Sequence, residues 1–99
     1  MAALYQHVAE CKVVLGNGWP EVHIWLDEYA AFYHSLLAHR AFRHHCEGVE
    51  EVRRRWGDEA AKAAEIHIAR DEGAVPTKLE MLKRYGKTLE QFGVDPGSI

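Results

Sequence analysis

The chain has 99 residues, is 47% hydrophobic and carries three Trp, four Tyr and three Phe, enough apolar material for one compact domain and too little for two. A formal charge of −3 and a pI of about 6.1 argue against a general nucleic-acid binder. No apolar run approaches membrane-spanning length and the first fifteen residues lack the pattern of a signal peptide. Cys11 and Cys46 have no CxxC spacing, so a cytoplasmic protein with reduced, buried thiols is expected.

Residues 2–15 read as a first helix, with Leu4, Val8, Cys11 and Leu15 recurring every three or four positions. Gly16-Asn17-Gly18 stops it and Trp19-Pro20 restarts the chain, since proline suits a first turn. From Glu21 to about Trp56 the composition is helical with a break. Asp27 is expected to cap a helix starting at Glu28, leaving Val22 to Leu26 as a short turn, while Phe32, Leu36, Leu37, Phe42, Val49 and Val52 supply a buried stripe. Gly48 either ends one helix or admits a close neighbour. Asp58 is a suitable cap for an alanine-rich helix over 59–72, with Ala60, Ala63, Ala64, His67 and Ile68 on one side and Gly73 closing it. Thr77-x-x-Glu80 and Thr88-x-x-Gln91 both have capping-box spacing. They predict two short helices ended by Gly86 and Gly93, with residues 94–99 as a loose tail. These readings give an all-α fold, a single-domain bundle of four to six helices without strands.

Histidine changes charge near neutral pH and is the commonest metal ligand. Five of the seven histidines lie between positions 23 and 45, and residues 39–48 alone hold His39, Arg40, Arg43, His44, His45, Cys46 and Glu47. His23 and Asp27 are four apart, as are His67 and Asp71, so each pair stands on one helix face. Such a pair suits one divalent transition metal (Zn, Mn, Ni or Fe), or a carboxylate orienting a histidine base. His39 and His44, five apart, diverge on an ideal helix and meet only if the helix is distorted between them. Arg40 and Arg43, one turn apart, form either a phosphate clamp or structural ion pairs. Arg53, Arg54 and Arg55 read as a solvated face paired with Glu50, Glu51 and Asp58, and the three tryptophans as core. Ser35 and Ser98 lack a nucleophile-elbow context, and no phosphate loop, zinc-finger spacing or His-Glu-x-x-His is present.

The ordered blocks Tyr5-x-His7, His23-x-Trp25-Leu26-Asp27, His39-Arg40-Ala41-Phe42-x-His44-His45-x-x-Gly48 and His67-Ile68-x-x-Asp71-x-Gly73-x-Val75-Pro76-Thr77 resemble a family of small bacterial and phage proteins of unknown function. The resemblance spans roughly residues 4 to 78 and brings no activity with it. It implies that His7, His23, Asp27, His39, Arg40, His44 and His67 belong to one site, and it lowers the standing of His34.

The leading expectation is hydrolysis of a phosphate ester or phosphodiester on a nucleotide-like substrate. His39, His44 and Arg40 are the expected catalytic groups; Arg40, Arg43, His45 and His7 would contact substrate; His23, Asp27, His67 and Asp71 would hold the metal. A chain this short leaves little room for a deep pocket, so a homodimer completing the site is expected. The alternatives are a binding protein that sequesters an anionic nucleotide signal, and a protein–protein inhibitor or structural domain with histidines as satisfied core groups.

Overall fold

The computed structural model describes residues 3–33 and 35–99; Ala2, expected in the first helix, and His34 lie outside the described residues. Those residues form seven α-helices, more than the four to six expected, and two short 3-10 turns; no strand lies among them, as the hydrophobic periodicity predicts. The helices are α1 (Leu4–Leu15), α2 (Pro20–Leu26), α3 (Ala30–Tyr33), α4 (Arg40–Arg43), α5 (Cys46–Trp56), α6 (Asp58–Glu72) and α7 (Lys78–Gln91).

The two helices with the tightest connection organise the rest. Helices α5 and α6 are joined by Gly57 alone, whose φ of +98° is open to glycine and costly for other residues. Four buried alanines on α6, Ala60, Ala61, Ala63 and Ala64, let neighbouring helices approach closely. Val49 and Val52 of α5, Cys11 of α1 and Val22 and Leu26 of α2 join them in one apolar cluster with Ile68. A second, smaller cluster gathers Ala38, Ala41 and Leu89, with Tyr33, Phe42, Tyr85, Val94 and Ile99 packed on it. The tryptophans lie partly buried on the first cluster, and Arg53, Arg54 and Arg55 pair with Glu50, Glu51 and Asp58 at the surface, both as expected.

Several local expectations give way to tertiary structure. Asp27 ends α2 where it was expected to begin a helix, and 20–26 form two full turns behind Pro20. The stripe breaks at Tyr33: Leu36 and Leu37 sit in the left-handed region at φ 54° and 61°, so the helical register is lost. Phe32 and Leu36 therefore face water, 73% and 71% exposed. Asp58 is the first residue of α6 and pairs with Arg53, Gly57 taking the cap position. Cys46 is exposed at the start of α5, whereas Cys11 is buried as expected; both are free thiols. Thr77 makes its capping box with Glu80, but the helix it starts runs unbroken through Gly86 and Thr88 to Gln91. Pro96 lies against Gly86, and the tail turns back there: Pro96–Ser98 is a 3-10 turn, with Val94 and Ile99 on the second cluster.

Gly48 is the position where glycine is required by space. A Cβ there would stand 1.9 Å from the Arg43 carbonyl oxygen, so α5 crosses the end of α4 in direct backbone contact. Gly48→Ala is expected to cost on the order of 3 kcal/mol as that corner is forced apart. Gly86→Ala, whose Cβ would meet Pro96 at an ordinary 3.5 Å, is expected to be neutral or to gain up to about 1 kcal/mol of helix propensity. Urea denaturation of the two variants beside the wild type separates a packing glycine from a tolerated one.

Candidate metal centre

Four segments distant in sequence deliver a polar cluster into the interior. Helix α1 brings His7, α2 and its C-terminal end bring His23 and Asp27, the turns around α4 bring His39, Arg40 and His44, and the last two turns of α6 bring His67, Asp71 and Glu72. All five of those imidazoles are buried. His39 and His44 meet despite their spacing because α4 is a single turn, with His39 at its start and His44, at φ −83° and ψ 59°, already outside it. Both approach the same carboxylate oxygen, Asp27 Oδ1, at 3.6 and 3.3 Å.

The distances within this cluster select four atoms. His44 Nε2 stands 3.2 Å from His67 Nε2, 3.3 Å from Asp27 Oδ1 and 3.2 Å from Asp71 Oδ2. His67 Nε2 stands 3.4 Å from Asp27 Oδ1 and 3.3 Å from Asp71 Oδ2. These five edges are 3.2–3.4 Å and the two carboxylate oxygens lie within 4.8 Å of each other; a regular tetrahedron with edges near 3.3 Å would have its centre about 2.0 Å from each corner, the bond length zinc makes to imidazole nitrogen and carboxylate oxygen. Asp27 Oδ1 is buried, and none of the surrounding nitrogens is aligned as a hydrogen bond to it among the described residues. Asp27, His44, His67 and Asp71 can therefore coordinate one metal ion.

A second grouping, His7, His23 and His67, is less suited to a shared ion although its nitrogens are close. The His7 ring lies flat on His67, centroids 3.6 Å apart and planes within 14°, so their in-plane lone pairs run side by side and do not converge. His23 is held elsewhere: its Nε2–H donates to the Gly18 carbonyl at 2.9 Å, and its Nδ1 lies 2.9 Å from His67 Nδ1.

The outer groups hold the carboxylates. Asp71 Oδ1 is flanked by His7 Nε2 at 3.5 Å and by an Arg40 nitrogen at 3.6 Å. Arg40, 5% exposed, also donates to the Asp71 carbonyl at 3.2 Å and to Glu72 at 2.8 Å. Glu72 in turn accepts from Tyr85 Oη at 2.9 Å and pairs with Arg84, tying α7 to the centre. Burial pushes Asp27 and Asp71 up, but His39, His44 and His67 around the first, and His44, His67 and Arg40 around the second, outweigh it and hold both well below the carboxylate range. Burial pushes His67 down, and the two carboxylates overcome this and raise it. His23 falls to about 4 through burial and the neighbouring His67, and His7 is lowered for the same reasons.

Against the expected roles, Asp27, His67 and Asp71 stand in the four-atom set, His44 is its fourth member, and His23 stands one imidazole behind. The His67/Asp71 spacing works because α6 is continuous through both; α2 ends before Asp27, which frees that carboxylate from the face His23 occupies. Arg43 lies apart from the cluster. It points back to α2, donates to the Trp25 carbonyl at 2.7 Å, pairs with Glu28 at 2.8 Å and stacks 4.2 Å from the Trp25 ring. His45 also lies apart, its Nδ1 capping α5 by accepting from Gly48 N–H and its Nε2–H donating to the Phe42 carbonyl. Of the two readings of Arg40 and Arg43, phosphate clamp or structural ion pairs, the structure shows ion pairs, with Glu72 and Glu28, because α4 directs the two guanidiniums to different neighbours. Glu72, Arg84 and Tyr85 were not singled out from sequence; the adjacency of two acids at the end of α6 is the only local signal for Glu72.

Because His23 binds its second proton far less readily when folded, the unfolded chain takes up more protons between pH 6.5 and about 4, and stability falls across that window. His67, raised in the fold, acts in the opposite sense, and the Asp27 and Asp71 contributions are lost only below their unfolded value of 3.8. Chelator-treated wild type is expected to lose stability on going from pH 6.5 to 4. A His23→Asn variant should lose less over that window, by on the order of 3 kcal/mol, as read by urea midpoints at each pH.

Among the described residues no helix is long and apolar enough to cross a membrane. The chain matches no protein-family model, and no curated protein or solved structure is significantly similar to it.

Proposed function

We propose that this protein is a metal-dependent hydrolase of phosphate esters or phosphodiesters, working through one divalent transition metal held by Asp27, His44, His67 and Asp71. The observation that carries the reading is the convergence of two imidazole nitrogens and two carboxylate oxygens, all within 4.8 Å of one another. The mixed nitrogen and oxygen set suits Zn, Mn, Ni or Fe. Bound there with a coordination number above four, such an ion would supply a Lewis acid for a phosphoryl oxygen and would lower the pKa of a coordinated water.

The remaining residues fit supporting roles. The Asp27 side chain is 26% exposed while those of its three partners are at most 2% exposed, so, although Asp27 Oδ1 is itself buried, a substrate would approach from the Asp27 side. His39, 3.6 Å from Asp27 Oδ1, is the imidazole on that side and would serve there as proton acceptor or donor. Arg40 is engaged by Asp71 and Glu72, and Arg43 by Glu28. Their charge serves the carboxylates first, which leaves the metal as the positive element offered to a phosphoryl group.

Protein purified without a histidine tag is expected to carry one equivalent of transition metal, lost in His67→Ala and Asp71→Ala by elemental analysis. It should hydrolyse bis-p-nitrophenyl phosphate or p-nitrophenyl phosphate, stop on chelation and recover when metal is returned. Tightly bound metal with no turnover of either ester would make the ion structural and defeat the hydrolase reading; no bound metal would defeat both.

A further inference from the structure

A histidine can give a lone pair to a metal through Nε2 only when its own proton sits on Nδ1, and something must keep it there. For His67 the structure assigns that task to His23: we infer that His23 is a positioning residue and not a ligand, fixing the tautomer of His67 through a relay that ends on the Gly18 carbonyl. This inference rests on the metal reading above and specifies how that site is preset.

The direction of the relay follows from which atoms can donate. The Gly18 carbonyl oxygen only accepts, so His23 Nε2, 2.9 Å away, carries a hydrogen. Among the described residues no ion pair reaches His23. Its ring is fully buried and stacks with the His7 and His67 rings at centroid distances of 5.6 and 5.1 Å, so a second proton there would be a buried charge without a partner. His23 Nδ1 is then a bare acceptor. His67 Nδ1, 2.9 Å from it, must donate, which directs His67 Nε2 to Asp27, Asp71 and His44.

The loop that supplies the carbonyl is fitted for this. A Cβ on Gly18 would stand 2.5 Å from Val8 Cγ1 and 3.1 Å from the Val8 carbonyl oxygen, so glycine lets the loop lie against α1 with its carbonyl within reach of His23. One function of the Gly16-Asn17-Gly18 turn is thus to end α1, and another is to anchor the proton order of a site beyond it.

The test reads proton positions directly. In 15N-labelled wild type, His23 should be protonated at Nε2 alone. His67 Nδ1 should carry a slowly exchanging proton with a nitrogen–nitrogen coupling across the hydrogen bond to His23 Nδ1. Both should persist with zinc added. Protonation of His23 at Nδ1, or a zinc-induced 15N shift of His23 typical of a direct ligand, would overturn the inference. In affinity measurements with zinc alone, His23→Leu should bind about 10- to 100-fold more weakly. His23→Asn should recover part of that loss, because its amide oxygen can accept from His67 Nδ1. A folded His23→Leu protein binding zinc like wild type would also overturn it; if that variant does not fold, the wild-type spectrum decides. Should wild type bind no zinc, the metal reading falls, and the His23 and His67 proton positions still decide the tautomer.

Discussion

Two carboxylates, Asp27 and Asp71, are brought within a few ångströms of each other inside a helical core, and the rest of the architecture answers that fact. Their ligand oxygens lie within 4.8 Å of one another. At such a separation two like charges repel by roughly 3 to 4 kcal/mol in an effective dielectric of about 20, before the cost of removing each from water is counted. Compensation comes from every side. His39, His44 and His67 crowd Asp27; His7, His44, His67 and Arg40 surround Asp71. A divalent cation at the centre would complete the balance, and its absence from the unfolded chain would make metal binding part of folding.

The small residues of α6 make this placement possible. Its first turns are nearly pure alanine on the buried side and pack tightly against α1, α2 and α5, while its last turns carry His67, Asp71 and Glu72. One continuous helix therefore joins the apolar cluster to the polar one. Glu72 then extends the network to Tyr85 and Arg84, so α7, which contributes no ligand, is linked to the centre through Arg40. The centre draws its residues from α1, α2, α4 and α6, so an ion bound there would tie four helices together.

Parts of this were legible locally. The ends of α1 and α6 at Gly16 and Gly73, the Thr77 capping box, the alanine face of α6 and the His67/Asp71 pair depend on neighbours within a turn, and each formed as spacing predicts. The exposed Phe32 and Leu36, the unbroken α7 and the docked tail did not follow from spacing, because each was decided by a partner far along the chain or by a left-handed break that propensity does not specify.

The division is sharpest among the histidines. The sequence by itself determined a helical protein with a concentration of imidazoles, acids and arginines, and its spacing brought a histidine and a carboxylate together only where one helix holds both, at His67 and Asp71. Tertiary structure decided that His44 and not His23 completes the four-atom set, that Arg43 and His45 serve α2 and α5, and that Arg40 turns to Glu72. The physical reason is that convergence depends on where helices stop and cross. A single-turn α4, an α2 that ends one residue before Asp27 and a backbone contact between Gly48 and Arg43 set those crossings, and none of them is specified by helical spacing.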